Sequence, residues 1–68
     1  MSVHYFSHAY LAHKGDRVEL HPATDLWMRG SRFGTVEKGA SKYIHVRLDA
    51  TNKVVKCWPE NVGLILDD

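Results

Sequence analysis

From residue 15 onward, apolar and polar side chains alternate in short runs separated by turn residues. The clearest run is Lys42 to Leu48. Successive side chains of a strand point to opposite faces, so Ile44, Val46 and Leu48 are expected inside and Tyr43, His45 and Arg47 outside. Asp49 to Asn52 turns the chain, and Lys53 to Trp58 returns as the partner strand. Val55 and Cys57 then face in, and Lys56 and Trp58 face out. Upstream, Arg17 to Leu20 is a half-buried strand with Val18 and Leu20 inward. It stops near Pro22, which has no amide to donate to a ladder. Phe33 to Glu37 is the next strand, with Gly34 at a bend or a close backbone approach. Lys38 to Ser41 reads as a turn. Pro59 to Asn61 fits one turn of 3₁₀ helix. Val62 to Leu66 is a short last strand, and Asp67-Asp68 a solvated end.

Two stretches do not alternate. Residues 1–14 contain no turn residues. Val3, Phe6, Tyr10 and Leu11 would make one helical stripe, while Tyr5 and Leu11 also suit an extended arm. This segment lies outside the core pattern and is expected as an N-terminal appendage that docks on the rest or on another copy. Residues 21–32 form a long connection. Thr24 or Asp25 is placed to cap a single helical turn through Leu26, Trp27 and Met28, with Gly30 ending it. Leu26 is expected to plug one end of the core; Trp27 either joins it or faces out.

Five short strands with regular turn signals predict an all-β, closed or nearly closed barrel over residues 15–66. With 68 residues there is one domain, and so short a chain buries only roughly 60% of its unfolded surface. No apolar run approaches the roughly 20 residues of a membrane span. No basic start precedes an apolar core at the N-terminus, so no secretory leader and no membrane partner are expected. Cys57 is the only cysteine. An internal disulfide and a cysteine-based zinc site are excluded, a buried inert thiol is expected, and a reducing cytoplasm is the expected compartment.

Charge changes the picture more than composition does. The chain carries a net charge of +1, but Arg29, Arg32, Lys38, Lys42, Arg47, Lys53 and Lys56 stand against only Glu37 and Asp49 in residues 27–58, a net +5. The two ends are acidic. A basic middle between acidic ends points to a one-sided positive face.

Gly15-Asp16-Arg17-Val18, followed by Gly34-Thr35-Val36 and Ile44-His45-Val46, resembles the opening and second strand of small SH3-like barrels of the KOW and Tudor type. Residues 15–66 are also similar to small uncharacterised barrels of phages and mobile genetic elements. The resemblance implies a five-stranded SH3-like barrel that binds RNA or DNA, peptides or partner proteins. The loop before Phe33 is longer than in a KOW element. A second resemblance, carried by Gly15 to Val18, Trp27 and Val55-Lys56-Cys57-Trp58-Pro59, is to the type II dihydrofolate reductases, barrels that assemble as tetramers around one pore. There Lys56 stands at a glutamine, Cys57 at an isoleucine and Trp58 at a tyrosine. Those three consecutive changes argue against carrying the activity over.

Catalytic chemistry is not evident. His4 and His8 would share a face if residues 3–12 were helical, a zinc-compatible spacing, but no acidic or cysteine ligand accompanies them. His45 has no orienting partner in sequence. Ser31, Ser41 and Thr51 lie in turns without a nucleophile motif. No metal, cofactor or catalytic residue is expected. The remaining constellation is a basic and aromatic surface of Tyr43, His45, Arg47, Lys56 and Trp58, joined by Trp27, Arg29 and Arg32 from the long loop. Aromatics and arginine dominate protein interfaces, and the same set stacks bases and neutralises phosphates. A bland reading is a surface pair of Tyr43 and Trp58 across strands. The expected function is a non-catalytic module for protein interaction or self-association, with RNA or DNA binding as the alternative.

Overall fold

The alternation from Arg17 to Leu66 becomes strands in the computed structural model, which describes residues 2–66. The strands are β1 (Ser2–Tyr5), β2 (Arg17–Leu20), β3 (Phe33–Gly39), β4 (Ile44–Leu48), β5 (Val54–Cys57) and β6 (Val62–Leu66). One helical turn, α1 (Asp25–Met28), lies between β2 and β3, and 3₁₀ turns form at Ala9–Leu11 and Pro59–Asn61. All six strands belong to one antiparallel sheet in the order β1-β6-β2-β3-β4-β5.

The expected inward set lies in the core, joined there by Val62. Val18, Leu20, Val36, Ile44, Val46, Leu48, Cys57 and Val62 are buried in one cluster, with Leu26 and Val55 packed against it. A single sheet whose β2 to β6 all feed one cluster must curl around it. Fully burying each of these aliphatic side chains is worth roughly 1.5–3 kcal/mol. Gly34 sits where β3 crosses close to β4: a Cβ there would stand 2.6 Å from the Arg47 carbonyl oxygen and 2.6 Å from Val46 Cγ1. Thr24 caps α1, its Oγ1 accepting from the Trp27 amide at 3.3 Å. Gly30 follows the turn at φ 95°.

Three expectations are corrected. First, the sheet has six strands rather than five. Ser2–Tyr5 pairs with β6, His4 opposite Leu64 and Tyr5 opposite Gly63. The segment read as an appendage also sends Ala9 and Ala12 into the core. A helix carrying His4 and His8 on one face therefore does not form. Second, no ladder joins β1 to β5, so the sheet is not closed; β1 packs on the Pro59–Asn61 turn instead. Third, strand limits move. The turn after Gly39 persists through Tyr43, so β4 begins at Ile44, and a bulge between Val36 and Lys38 lets β3 run on to Gly39. The expected solvated end at Asp67-Asp68 lies outside the described residues.

Candidate binding surface

The β4–β5 ladder pairs Ile44 with Cys57, His45 with Lys56, Val46 with Val55 and Arg47 with Val54. This register is the one the alternation requires, so His45, Arg47 and Lys56 share the outer face. Tyr43 just before β4 and Trp58 just after β5 continue that face. Their rings are tilted at 51° with centroids 4.8 Å apart, a contact geometry worth about 0.5–1.5 kcal/mol beyond burial. Trp58 stays 45% exposed. Lys42, not among the candidates, places its Nζ 5.8 Å from the Tyr43 ring and 5.7 Å from the Trp58 ring.

The bulge in β3 extends the face. A regular register would put Glu37 opposite His45; the extra residue puts Lys38 there instead. Bulges re-aim side chains in this way. Lys38, His45 and Lys56 consequently form one row across three strands. Glu37 turns to Arg47, which meets it at 3.4 Å and donates to the Asn52 carbonyl at 3.0 Å. Arg47 is thus on the predicted face but committed within it. One row further, Arg17 forks onto Asp49 at 2.9 and 2.7 Å and onto Thr35 at 3.0 Å. Hydrogen bonding to Arg17 holds the Asp49 carboxyl below its ordinary range, and the same bond raises Arg17.

The long-loop residues Trp27, Arg29 and Arg32 make contacts of their own. Arg32 stacks over the Trp27 ring at 4.8 Å, and Arg29 lies 3.4 Å from Asp25, both side chains well exposed. Among the described residues, no ring or ion-pair contact links Trp27, Arg29 or Arg32 to Tyr43 and Trp58. Leu26 does turn inward, as expected of a plug.

Beside the aromatic pair lies a feature that pattern reading missed. Leu20, Thr24, Asp25, Leu26, Lys56, Cys57, Trp58 and Asn61 line a groove of about 200 Å³ between α1 and β5. Its walls are mainly the apolar side chains Leu20, Leu26, Cys57 and Trp58. Cys57 is buried in the wall, and burial pushes its thiol up to about 11. A thiol so protonated is a poor nucleophile. Among the described residues, no group of three or more His, Cys, Asp or Glu is placed to hold a metal ion. No described helix is long and apolar enough to cross a membrane.

The chain matches no family model, no curated protein and no solved structure. Its surface is therefore the only guide to its partners. The half-buried Tyr43 ring, the exposed Trp58 ring, the row Lys38–His45–Lys56 and an apolar groove meet at Lys56 and Trp58.

Proposed function

We propose that this chain is a small non-catalytic binding module of the SH3-like barrel type, and that its ligand is a segment of another protein. The observation that carries the reading is the apolar groove bordered by Lys56 and Trp58, with the tilted Tyr43 ring packed on Trp58. Interfaces concentrate their energy in half-exposed aromatic residues beside apolar pockets. The curled meander from β2 to β5, with a 3₁₀ turn before β6, supports the barrel assignment. The groove lining carries both signs of charge, Asp25 and Lys56.

Nucleic-acid binding is the second reading, favoured by the row Lys38–His45–Lys56 beside the exposed Trp58 ring. The two readings separate in one experiment. The full chain is used to select from a display library of random peptides, and in parallel is titrated with single-stranded oligonucleotides over a range of salt. Enrichment of peptides whose binding shifts Trp58 fluorescence supports the protein reading. Oligonucleotide binding that weakens steeply with salt and is lost in Lys56→Glu, with no peptide enriched, overturns it.

A further inference from the structure

We propose that the outer edge of β5, at Val54 to Lys56, takes up an extended acidic segment of a partner protein as an added strand, with one apolar side chain of that segment seated in the neighbouring groove. This rests on the reading of the chain as a protein-binding module and specifies how the ligand is held and what it must carry.

The hydrogen-bond pattern identifies the open groups. The Leu48 amide donates to the Lys53 carbonyl at 2.8 Å. Bonded pairs alternate along an antiparallel ladder, so Val46 with Val55 and Ile44 with Cys57 are the next bonded pairs. Val54 and Lys56 then point their amides and carbonyls away from β4. Among the described residues these groups have no partner on that side, where β5 is the last strand of the sheet. Such a row is a ready template for a further strand.

Side-chain alternation defines the ligand. On an added strand, one set of side chains lies on the same side as Val55 and Cys57, above Leu20 and Leu26. The groove there, at about 200 Å³, is smaller than the roughly 300–1,000 Å³ of small-molecule sites and suits a single aliphatic or aromatic side chain. The other set lies beside Val54 and Lys56 on the outer face. Lys56 on that face, and Lys53 at the turn before the strand, have no carboxylate partner among the described residues, whereas Asp25 at the groove is already paired with Arg29. The segment that fits has a large apolar residue flanked by acidic ones. A second copy fits poorly, because the two edge strands of this chain, Ser-Val-His-Tyr at residues 2–5 and Val-Val-Lys-Cys at residues 54–57, carry no acidic residue.

The test uses peptides selected from a random display library on the full chain, then synthesised. They are expected to share the acidic–apolar–acidic pattern. Their binding should slow amide exchange at Val54 and Lys56 by about tenfold or more. Val54→Pro should weaken them by about tenfold, since proline removes an amide that faces away from β4 and spares the ladder. If that variant does not fold, the exchange measurement on the unaltered chain decides alone. Selected peptides that bind without protecting Val54 and Lys56, or that lack acidic residues, overturn strand addition while leaving the protein-binding reading intact. Protection of the same amides by self-association, without peptide, makes the occupant a second copy and also overturns it. Failure to enrich any peptide overturns both.

Discussion

The most exacting check on the architecture is Gly39→Ala, because it tests whether the first 14 residues belong to the core. Gly39 ends β3 directly beneath the 3₁₀ turn at Ala9–Leu11. A Cβ at this position would stand 2.5 Å from the Ala12 carbonyl oxygen and closer still to that of Ala9. Carbon atoms of this kind essentially never approach within 3.0 Å, and both oxygens are backbone, so no side chain can swing away. Either β3 or the turn must retreat by about half an ångström or more. Overpacking of this sort costs about 1–3 kcal/mol. An independent bound comes from detaching the turn altogether. Ala9 and Ala12 are 2% and 4% exposed, and re-exposing one methyl each costs about 0.8 kcal/mol apiece, before the loss of Phe6 packing. Both routes give a loss of order 2 kcal/mol.

Urea unfolding should therefore show a stability loss of about 1–3 kcal/mol, and Tm should fall by about 4–8 °C for each kcal/mol. Amide exchange should locate the damage. The Ala12 amide, bonded to the Ala9 carbonyl at 3.1 Å, should lose protection before Val18 or Val46 does. A variant within about 0.5 kcal/mol of the parent, with unchanged Ala9 and Ala12 resonances, would refute the docking of this segment.

Other outcomes are expected. The Cys57 thiol, pushed from an ordinary 9.0 to about 11, should react with a thiol reagent at pH 8 about 100-fold more slowly than in the urea-unfolded chain; equal rates would contradict its burial. Asp49→Asn should cost about 0.2–1 kcal/mol near neutral pH, the range of half-exposed ion pairs. Because the folded carboxyl is depressed below 3.8, that difference should be present above this value and vanish as pH falls through it and below. Persistence of the full difference at pH values far below 3.8 would contradict the pairing. Trp58→Ala should weaken selected peptides by about 30-fold or more, while lowering stability by about 1–3 kcal/mol through the lost ring contact and partial burial. A purely structural Trp58 would show the stability loss with peptide affinity unchanged. Purified protein should show no NADPH-dependent dihydrofolate reduction, checked by absorbance; turnover would restore the reductase reading.

The parts legible in sequence are those where local pattern and tertiary demand agree. Ile44, Val46 and Leu48 alternate with polar neighbours, and burying one face leaves a single register, since a slip by one would turn every side chain over. The cap at Thr24 and the 3₁₀ turn at Pro59 are equally local. β1 was not legible because its partner, β6, lies about sixty residues away and four residues carry too little period. Ala9 and Ala12 gave no signal, being too small to mark a face. Lys42 escaped because the turn before β4 lasts to Tyr43, which frees it from the strand alternation and lets it reach both rings. Lys38 escaped because one bulged residue exchanged it with Glu37. The groove draws on β2, α1, β5 and the Pro59–Asn61 turn, and no run of sequence contains it.

An open six-stranded sheet leaves two edges, and their chemistry determines what they admit. Exposed edges invite pairing with other copies, and lysine on an edge strand is one way proteins prevent it. Lys53 and Lys56 do this at β5: a copy approaching through the same strand brings more lysine and no carboxylate. The deterrent depends on the sign of the newcomer's charge. For an acidic segment the same ammonium groups become partners, and the backbone groups of Val54 and Lys56 are left open to it. Protection from self-pairing and selection of an acidic ligand thus follow from the same two residues. On the proposed mode of binding, the groove beside Cys57 would add the apolar contact that distinguishes one acidic segment from another.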